Sequence, residues 1–368
     1  GKAISNQFNT LDHVIFAGVK HPKAIELSKR ISAILPKKLN KVFFSDDGST
    51  SVEVALKMVI QYHHNNNSDK KRIVALSGAY HGDTFGAMAL GERNIFNESF
   101  EKLMFPVKRV SWPSTWIGDN EVEIKEENAL KELIELLKEP TAAVIMEPIL
   151  QGAGGMNMVR PEFIRRAYEI IKSNNSLLIA DEVLTGFGRC GSLFAFQKAN
   201  IEPDLIAISK GLTGGFLPMG ITLSKERIFE SFVSENPRNT FWHGHSFTAN
   251  PLGCAAANAS LDLLEQNPFK YSQFELKHYA LIEKLQSLSC VKKIRICGTI
   301  FAFELEVNNN SGYLNLIGKR IKNEAMKKGL FIRPLGNIIY LLPPLSITDN
   351  QLEKSYDILF EIIKNFAN

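Results

Sequence analysis

The sequence has 368 residues, enough for two domains with a sizeable core. Apolar residues make up 45% and charged residues 22%, which excludes a disordered or fibrous chain; a net charge of +4 is too mild to indicate nucleic acid or an anionic membrane. Four cysteines at irregular spacing, with no CxxC pair, make neither a disulfide framework nor a zinc site. With no basic-then-apolar leader and no apolar run of bilayer length, a cytoplasmic location is expected. The missing initiator methionine is read as a natural N-terminus lying upstream of Gly1.

Residues 41–45 (KVFFS) read as a strand, and 49–62 carry apolar residues at helical spacing. A polar loop over 63–71 leads to a second strand, 72–76. Residues 142–147 (AAVIME) and 177–181 (LLIAD) are buried-strand runs with a helix, 161–172, between them. A strand over 205–209 precedes a Gly-rich turn at 211–215. Strands separated by helices of this length predict parallel pairing with right-handed crossovers, in a sheet covered on both faces. After about residue 265 the pattern changes. A helix over 271–288, a hairpin over 294–307, a helix over 314–328, a strand pair around Arg333 and a last helix over 349–366 follow. The expected organisation is an N-terminal segment (1–40), a large α/β part with a mainly parallel sheet flanked by helices (41–265), and a smaller α+β part (266–368). The Asn runs at 65–67 and 308–310 read as loops.

In an open parallel sheet, ligands sit beyond the carboxyl ends of the strands. Asp181 closes one strand and Lys210 follows another; Gly48 and Ser49 lie between a strand and a helix start, and Tyr80-His81-Gly82 follows the strand that ends near Leu76. A lysine there forms a Schiff base with an aldehyde cofactor once burial lowers its pKa. An aspartate holds a protonated pyridine nitrogen through a charge-assisted hydrogen bond. A small hydroxyl residue before a helix offers N–H groups and its hydroxyl to a phosphate, and an aromatic ring stacks on pyridine. Together these describe a pyridoxal-phosphate site. Each also has an ordinary reading: the aspartate as a turn residue, the lysine as a solvated cation, the Gly-Ser pair as an N-cap.

Residues 178–189 (LIADEVLTGFGR) and 203–211 (PDLIAISKG) resemble the signature of the class III aminotransferases, pyridoxal-phosphate enzymes of fold type I. Further stretches are similar to the biotin-pathway branch of that family, which moves an amino group from S-adenosylmethionine to 8-amino-7-oxononanoate. They are 11–18 (LDHVIFAG), 45–54 (SDDGSTSVEV), 78–88 (GAYHGDTFGAM), 151–156 (QGAGGM), 243–251 (HGHSFTANP) and 333–336 (RPLG). The resemblance spans essentially the whole chain. It implies a homodimer with shared sites, in which Lys210 bonds the cofactor and later shuttles a proton, and Asp181 pairs with the pyridine nitrogen. Gly48 and Ser49 would hold the phosphate, and Tyr80 would lie against the ring. Ser246, where the family usually has Thr, would reach the partner subunit's phosphate; Gly244 would line the donor site and Arg333 would grip the keto-acid carboxylate. Asp83 and His81 are candidates for shaping the substrate pocket, with loop stabilisation the other reading of His81. No metal is expected.

Two departures stand out. The family's N-terminal segment, with paired tryptophans and a tyrosine lining the substrate pocket, has no counterpart before Gly1, and His245 replaces a residue that is often Pro. The same amination with lysine as donor stays open. So does an ω-amine transaminase acting on ornithine or 4-aminobutyrate, although those commonly carry Gln where this chain has Leu184. A nucleotide-binding α/β protein without covalent cofactor chemistry is the rival from another class. Glu147-Pro148 reads as support at a strand end, 151–155 as a turn, and the cysteines as small buried apolar residues.

Overall fold

In the computed structural model, which describes residues 1–266, 271, 273–307 and 315–367, the apolar runs become short strands joined by helices. The strands are β1 (Leu39–Ser45), β2 (Arg72–Leu76), β3 (Lys108–Val110), β4 (Thr141–Met146), β5 (Leu150–Gln151), β6 (Asn157–Met158), β7 (Leu177–Asp181), β8 (Leu205–Ile208), β9 (Gly220–Lys225), β10 (Val291–Cys297), β11 (Ile300–Leu305) and β12 (Ile338–Leu341). The helices are α1 (Lys2–Phe8), α2 (Pro22–Ala33), α3 (Gly48–Asn65), α4 (Phe85–Leu90), α5 (Val122–Leu137), α6 (Pro161–Ser173), α7 (Glu226–Glu230), α8 (Pro251–Gln266), α9 (Phe274–Gln286), α10 (Ile317–Lys327) and α11 (Asp349–Ala367).

Seven strands form one sheet in the order β1-β9-β8-β7-β4-β2-β3. From β8 to β3 the pairing is parallel, while β9 runs antiparallel to both of its neighbours. The mainly parallel sheet is as expected; β9 itself, and its direction, are not among the predicted elements. Its sequence GITLSK alternates apolar and polar, the pattern of a strand with one wet face, yet all six residues are buried. The polar ones are satisfied inside: Thr222 donates its hydroxyl to Ser51 O at 2.7 Å.

Alternation along the parallel strands builds two cores. Leu178 and Ala180 of β7 pack with α2, α5, α6 and α8, while Leu177 and Ile179 face α3 on the other side. Helix α3 opens with a reciprocal cap, in which the Asp47 carboxylate accepts the Thr50 N–H (2.8 Å) and the Thr50 hydroxyl accepts the Asp47 N–H (3.0 Å). It runs past the expected end at 62 because the buried His63 ring reaches Ala142 O at 3.2 Å.

In the C-terminal part, β10, β11 and β12 form an antiparallel sheet. Phe301 and Phe303 pack there with Phe274, Leu281, Ile321 and Leu359 from α9, α10 and α11. The hairpin expected over 294–307 is β10–β11, which begins earlier, at Val291. The strand pair expected around Arg333 is corrected: a single strand, β12, follows it, with only a bridge between Leu335 and Ile338. Pro334 has no N–H to offer a ladder at that point. Residues 272 and 314, at the starts of two predicted helices, and the Asn run at 308–310 lie outside the described residues. No described helix is long and apolar enough to cross a membrane. Because β1 and β8 both run against β9, the carboxyl ends of β1, β2, β4, β7 and β8 share one rim of the sheet.

Candidate active site

Asp181, the last residue of β7, is 4% exposed. Its Oδ1 accepts the Val183 N–H at 3.0 Å, and its Oδ2 lies 2.7 Å from His81 Nδ1. Facing a carboxylate, Nδ1 is the ring nitrogen that carries the proton. His81 comes from the turn after β2 and is itself buried; its Nε2 finds no partner among the described residues. His81 therefore buttresses Asp181, a role no spacing rule reveals because the two lie one hundred residues apart.

Glu147 follows β4 and is buried, its carboxylate accepting the N–H groups of Tyr80 (3.2 Å) and Gly152 (3.1 Å). Burial pushes its pKa up to about 7, with the nearby His81 pulling the other way. It supports the rim from a strand end, as expected. Of residues 151–155, read as a turn, Gln151 ends β5 and 152–155 make the turn to β6. Glu182, beside Asp181, is likewise pushed up to about 7 by burial, but its oxygens are taken by the Thr185 hydroxyl and by the N–H groups of Ala195 and Phe196.

Tyr80 stands half-exposed at the rim and donates its hydroxyl to Asp83 Oδ2 at 2.8 Å. Burial, then the Asp83 carboxylate, raises its pKa to about 12. Asp83 is thus engaged in fixing Tyr80. The start of α3 closes against both neighbouring loops through glycines. A Cβ on Gly48 would lie 2.6 Å from Val183 Cγ1, and one on Gly82, at φ +125°, would lie 2.3 Å from Ser49 Oγ. Ser49 Oγ accepts the Thr84 N–H (3.1 Å) and donates to the Thr84 hydroxyl (2.7 Å), which in turn donates to Glu53 (2.6 Å). With Thr50 N–H already capped by Asp47, the Gly48 and Ser49 N–H groups are left at the mouth of an 18-residue helix, where an anion is favoured.

Lys210 follows β8 with φ +40°, a backbone setting that costs a non-glycine residue of order 1–3 kcal/mol. Its side chain is exposed and forms no ion pair among the described residues, so the burial expected of it is not supplied within the single chain. Arg333 is also exposed, with no acidic partner among the described residues. Gly244 and Ser246 are exposed too, and Ser246 is hydrogen-bonded to none of the residues at the start of α3. Their segment is anchored by His243 Nδ1 on Lys57 Nζ (2.8 Å) and by His245 Nδ1, 3.3 Å from Asp46 Oδ2.

Residues 1–363 match the family model for aminotransferase class III. The chain belongs to the class-III aminotransferase family. Among its curated relatives, the adenosylmethionine-8-amino-7-oxononanoate aminotransferase of Synechococcus elongatus is 51% identical, over 98% of this chain and 85% of the relative. The protein of the same description from Helicobacter pylori is 35% identical over 98% of this chain and 82% of its own length. Among solved structures, the adenosylmethionine-8-amino-7-oxononanoate aminotransferase of Methanocaldococcus jannaschii has a TM-score of 0.89 at 33% identity, covering 99% of this chain and 84% of that one. A PLP-bound amine transaminase from an uncultivated Pseudomonas species has a TM-score of 0.90 at 29% identity, covering 99% of this chain and 86% of the other. These likenesses place the class-III aminotransferase chain in fold type I. Of the residues singled out in its sequence, the structure gathers Asp181, Tyr80, Asp83, Gly48 and Ser49 through direct contacts or shared loops. Lys210 sits at the end of the adjacent strand, β8. Ser246, Gly244 and Arg333 stay exposed.

Proposed function

We propose that this chain is the pyridoxal-phosphate-dependent aminotransferase of biotin synthesis that takes an amino group from S-adenosylmethionine and delivers it to 8-amino-7-oxononanoate, giving 7,8-diaminononanoate. The observation that carries this is the arrangement at one sheet rim: a buried carboxylate held by His81, a helix mouth closed by glycines, and, just past the end of the adjacent strand, a lysine with no ion pair among the described residues. The names of the relatives supply the substrates.

The residues fit the cofactor. The Gly48 and Ser49 N–H groups suit a phosphate, which the Ser49 hydroxyl would join by turning its proton away from Thr84; Asp181 suits a pyridine N–H, and the Tyr80 ring, fixed by Asp83, makes a flat wall. When bound, pyridoxal phosphate supplies an electron sink for the carbon that loses its proton. Lys210 would hold the cofactor through its ε-amine and, once that amine is free, would move the proton of the donor carbon. Asp181 keeps the ring nitrogen protonated, an electrostatic stabilisation set where charge develops, and His81 prevents that carboxylate from turning away. Arg333 offers its planar fork to the acceptor carboxylate, and Gly244 leaves room for the donor.

A homodimer with shared sites completes this reading. Ser246 would reach the partner's phosphate, which agrees with its exposure here and with the exposed Trp242 and Phe247 beside it. The separate apolar cluster around Phe301 and Phe303 supports the division into a cofactor-binding part (41–265) and a smaller part (266–368). Borohydride reduction of the holoenzyme, followed by peptide mapping, tests the anchor. The cofactor is expected on Lys210; a label on any other lysine removes the assignment.

A further inference from the structure

The loop that leaves Asp181 runs on to Gly191 and is clasped by the turn between β10 and β11. The partly buried Arg189 donates to Thr299 Oγ1 (2.8 Å) and to Pro343 O (2.6 Å), and the Thr299 N–H returns to Arg189 O at 3.0 Å. Along one flank, Lys198 pairs with Glu275 (2.6 Å), whose Oε1 also accepts the Gly298 N–H (2.7 Å). The two backbones touch: a Cβ on Gly298 would lie 2.3 Å from the carbonyl carbon of Cys190 and 2.1 Å from Gly191 N.

Two thiols lie inside this clasp. Cys190 and Cys297 are both buried, and the Cys297 thiol donates to Cys190 O at 3.7 Å. Neither has a part in the aminotransfer chemistry. A disulfide needs Cα atoms within about 7 Å, and segments already in backbone contact meet that requirement with little movement. The contact between the two pushes the Cys190 thiol up and the Cys297 thiol down; burial works against the Cys297 thiolate, and the Lys198 ammonium favours it. The other two cysteines differ: Cys254 is buried on α8, and Cys290 is half-exposed.

We infer that Cys190 and Cys297 form a modification site, a dithiol that a peroxide-class oxidant converts to a disulfide joining the loop after Asp181 to the C-terminal sheet. The Cys297 thiolate attacks one oxygen of hydrogen peroxide; an S–O bond forms, the O–O bond breaks and hydroxide leaves. The Cys190 sulfur then attacks that sulfenic sulfur, the S–S bond forms, the S–O bond breaks, and water leaves with the Cys190 proton. Two thiols and one peroxide give one disulfide and two waters. The oxidant enters as the clasp opens, so the reaction is slower than that of an exposed thiol.

The reduced 368-residue chain, freed of reductant, is titrated with hydrogen peroxide and followed by intact mass, non-reducing peptide mapping and thermal unfolding. Half-exposed Cys290 reports that oxidant has reached the protein. With exposure continued well beyond the full oxidation of Cys290, until the modification pattern no longer changes, a Cys190–Cys297 linked peptide and the loss of two hydrogens are expected. Tm should rise by several degrees, and dithiothreitol should reverse the change. The same bridge should form in Cys290→Ser. Recovery of Cys190 and Cys297 as free thiols at that point overturns the inference, as does a disulfide that involves Cys254 or Cys290 instead. The result does not depend on the cofactor role of Lys210, so it stands or falls separately from the proposed function.

Discussion

Asp181 has two oxygens and a fixed partner for each, the Val183 N–H and the His81 ring. A carboxylate held on both sides loses little entropy when it meets a pyridinium, which is why the pair counts for more than the aspartate alone. Asp181→Asn keeps the shape and removes the charge, a loss of about 1.5–3 kcal/mol, or roughly ten- to a hundred-fold in turnover. His81→Phe keeps the ring volume and removes the donor. It is expected to retain cofactor, to lower kcat with KM little changed, and to shift the pH profile of the cofactor's visible absorbance. If that pH profile does not move, His81 only fills space. Asp181 and Lys210 were legible in the sequence because each sits at the end of an apolar run, where a parallel sheet presents ligands. Their support was not. The His81–Asp181 contact depends on two loops that only the sheet order β7-β4-β2 brings together.

At the scale of elements, the strands read most surely were those buried on both faces, β2, β4, β7 and β8, whose unbroken apolar runs admit few other structures. β9 escaped because its buried polar residues imitate a surface strand; it pairs antiparallel with β8, the strand directly before it in the chain. The stretch around Arg333 was over-read. Leu330-Phe331-Ile332 is apolar enough for a strand, but Pro334 breaks the ladder and leaves the arginine on a loop, exposed and unpaired among the described residues. That placement suits an arm for a substrate carboxylate. Arg333→Ala should raise KM for the keto acid by roughly thirty- to several-hundred-fold, the equivalent of about 2–4 kcal/mol, while leaving KM for the donor nearly unchanged. Steady-state kinetics of the two half-reactions would show this; equal damage to both would make Arg333 a structural residue.

At the scale of the whole molecule, the single chain leaves Lys210 and Ser246 exposed, and the homodimer proposed above would enclose them. An isologous dimer would give two such sites. Mixing Lys210→Ala chains with chains that carry a bulky residue at Ser246 should restore part of the activity, because one site of each heterodimer is then intact. A mixture that stays inactive although subunits exchange would show that Ser246 does not act in trans. The function itself turns on which amine enters this pocket. The most direct measurement is 7,8-diaminononanoate formation from 8-amino-7-oxononanoate, with S-adenosylmethionine, lysine, ornithine and 4-aminobutyrate offered in turn as donor. Product is expected with S-adenosylmethionine and not with the others. Product with lysine alone would change the donor, and turnover of ornithine or 4-aminobutyrate without any amination of the keto acid would contradict the assignment.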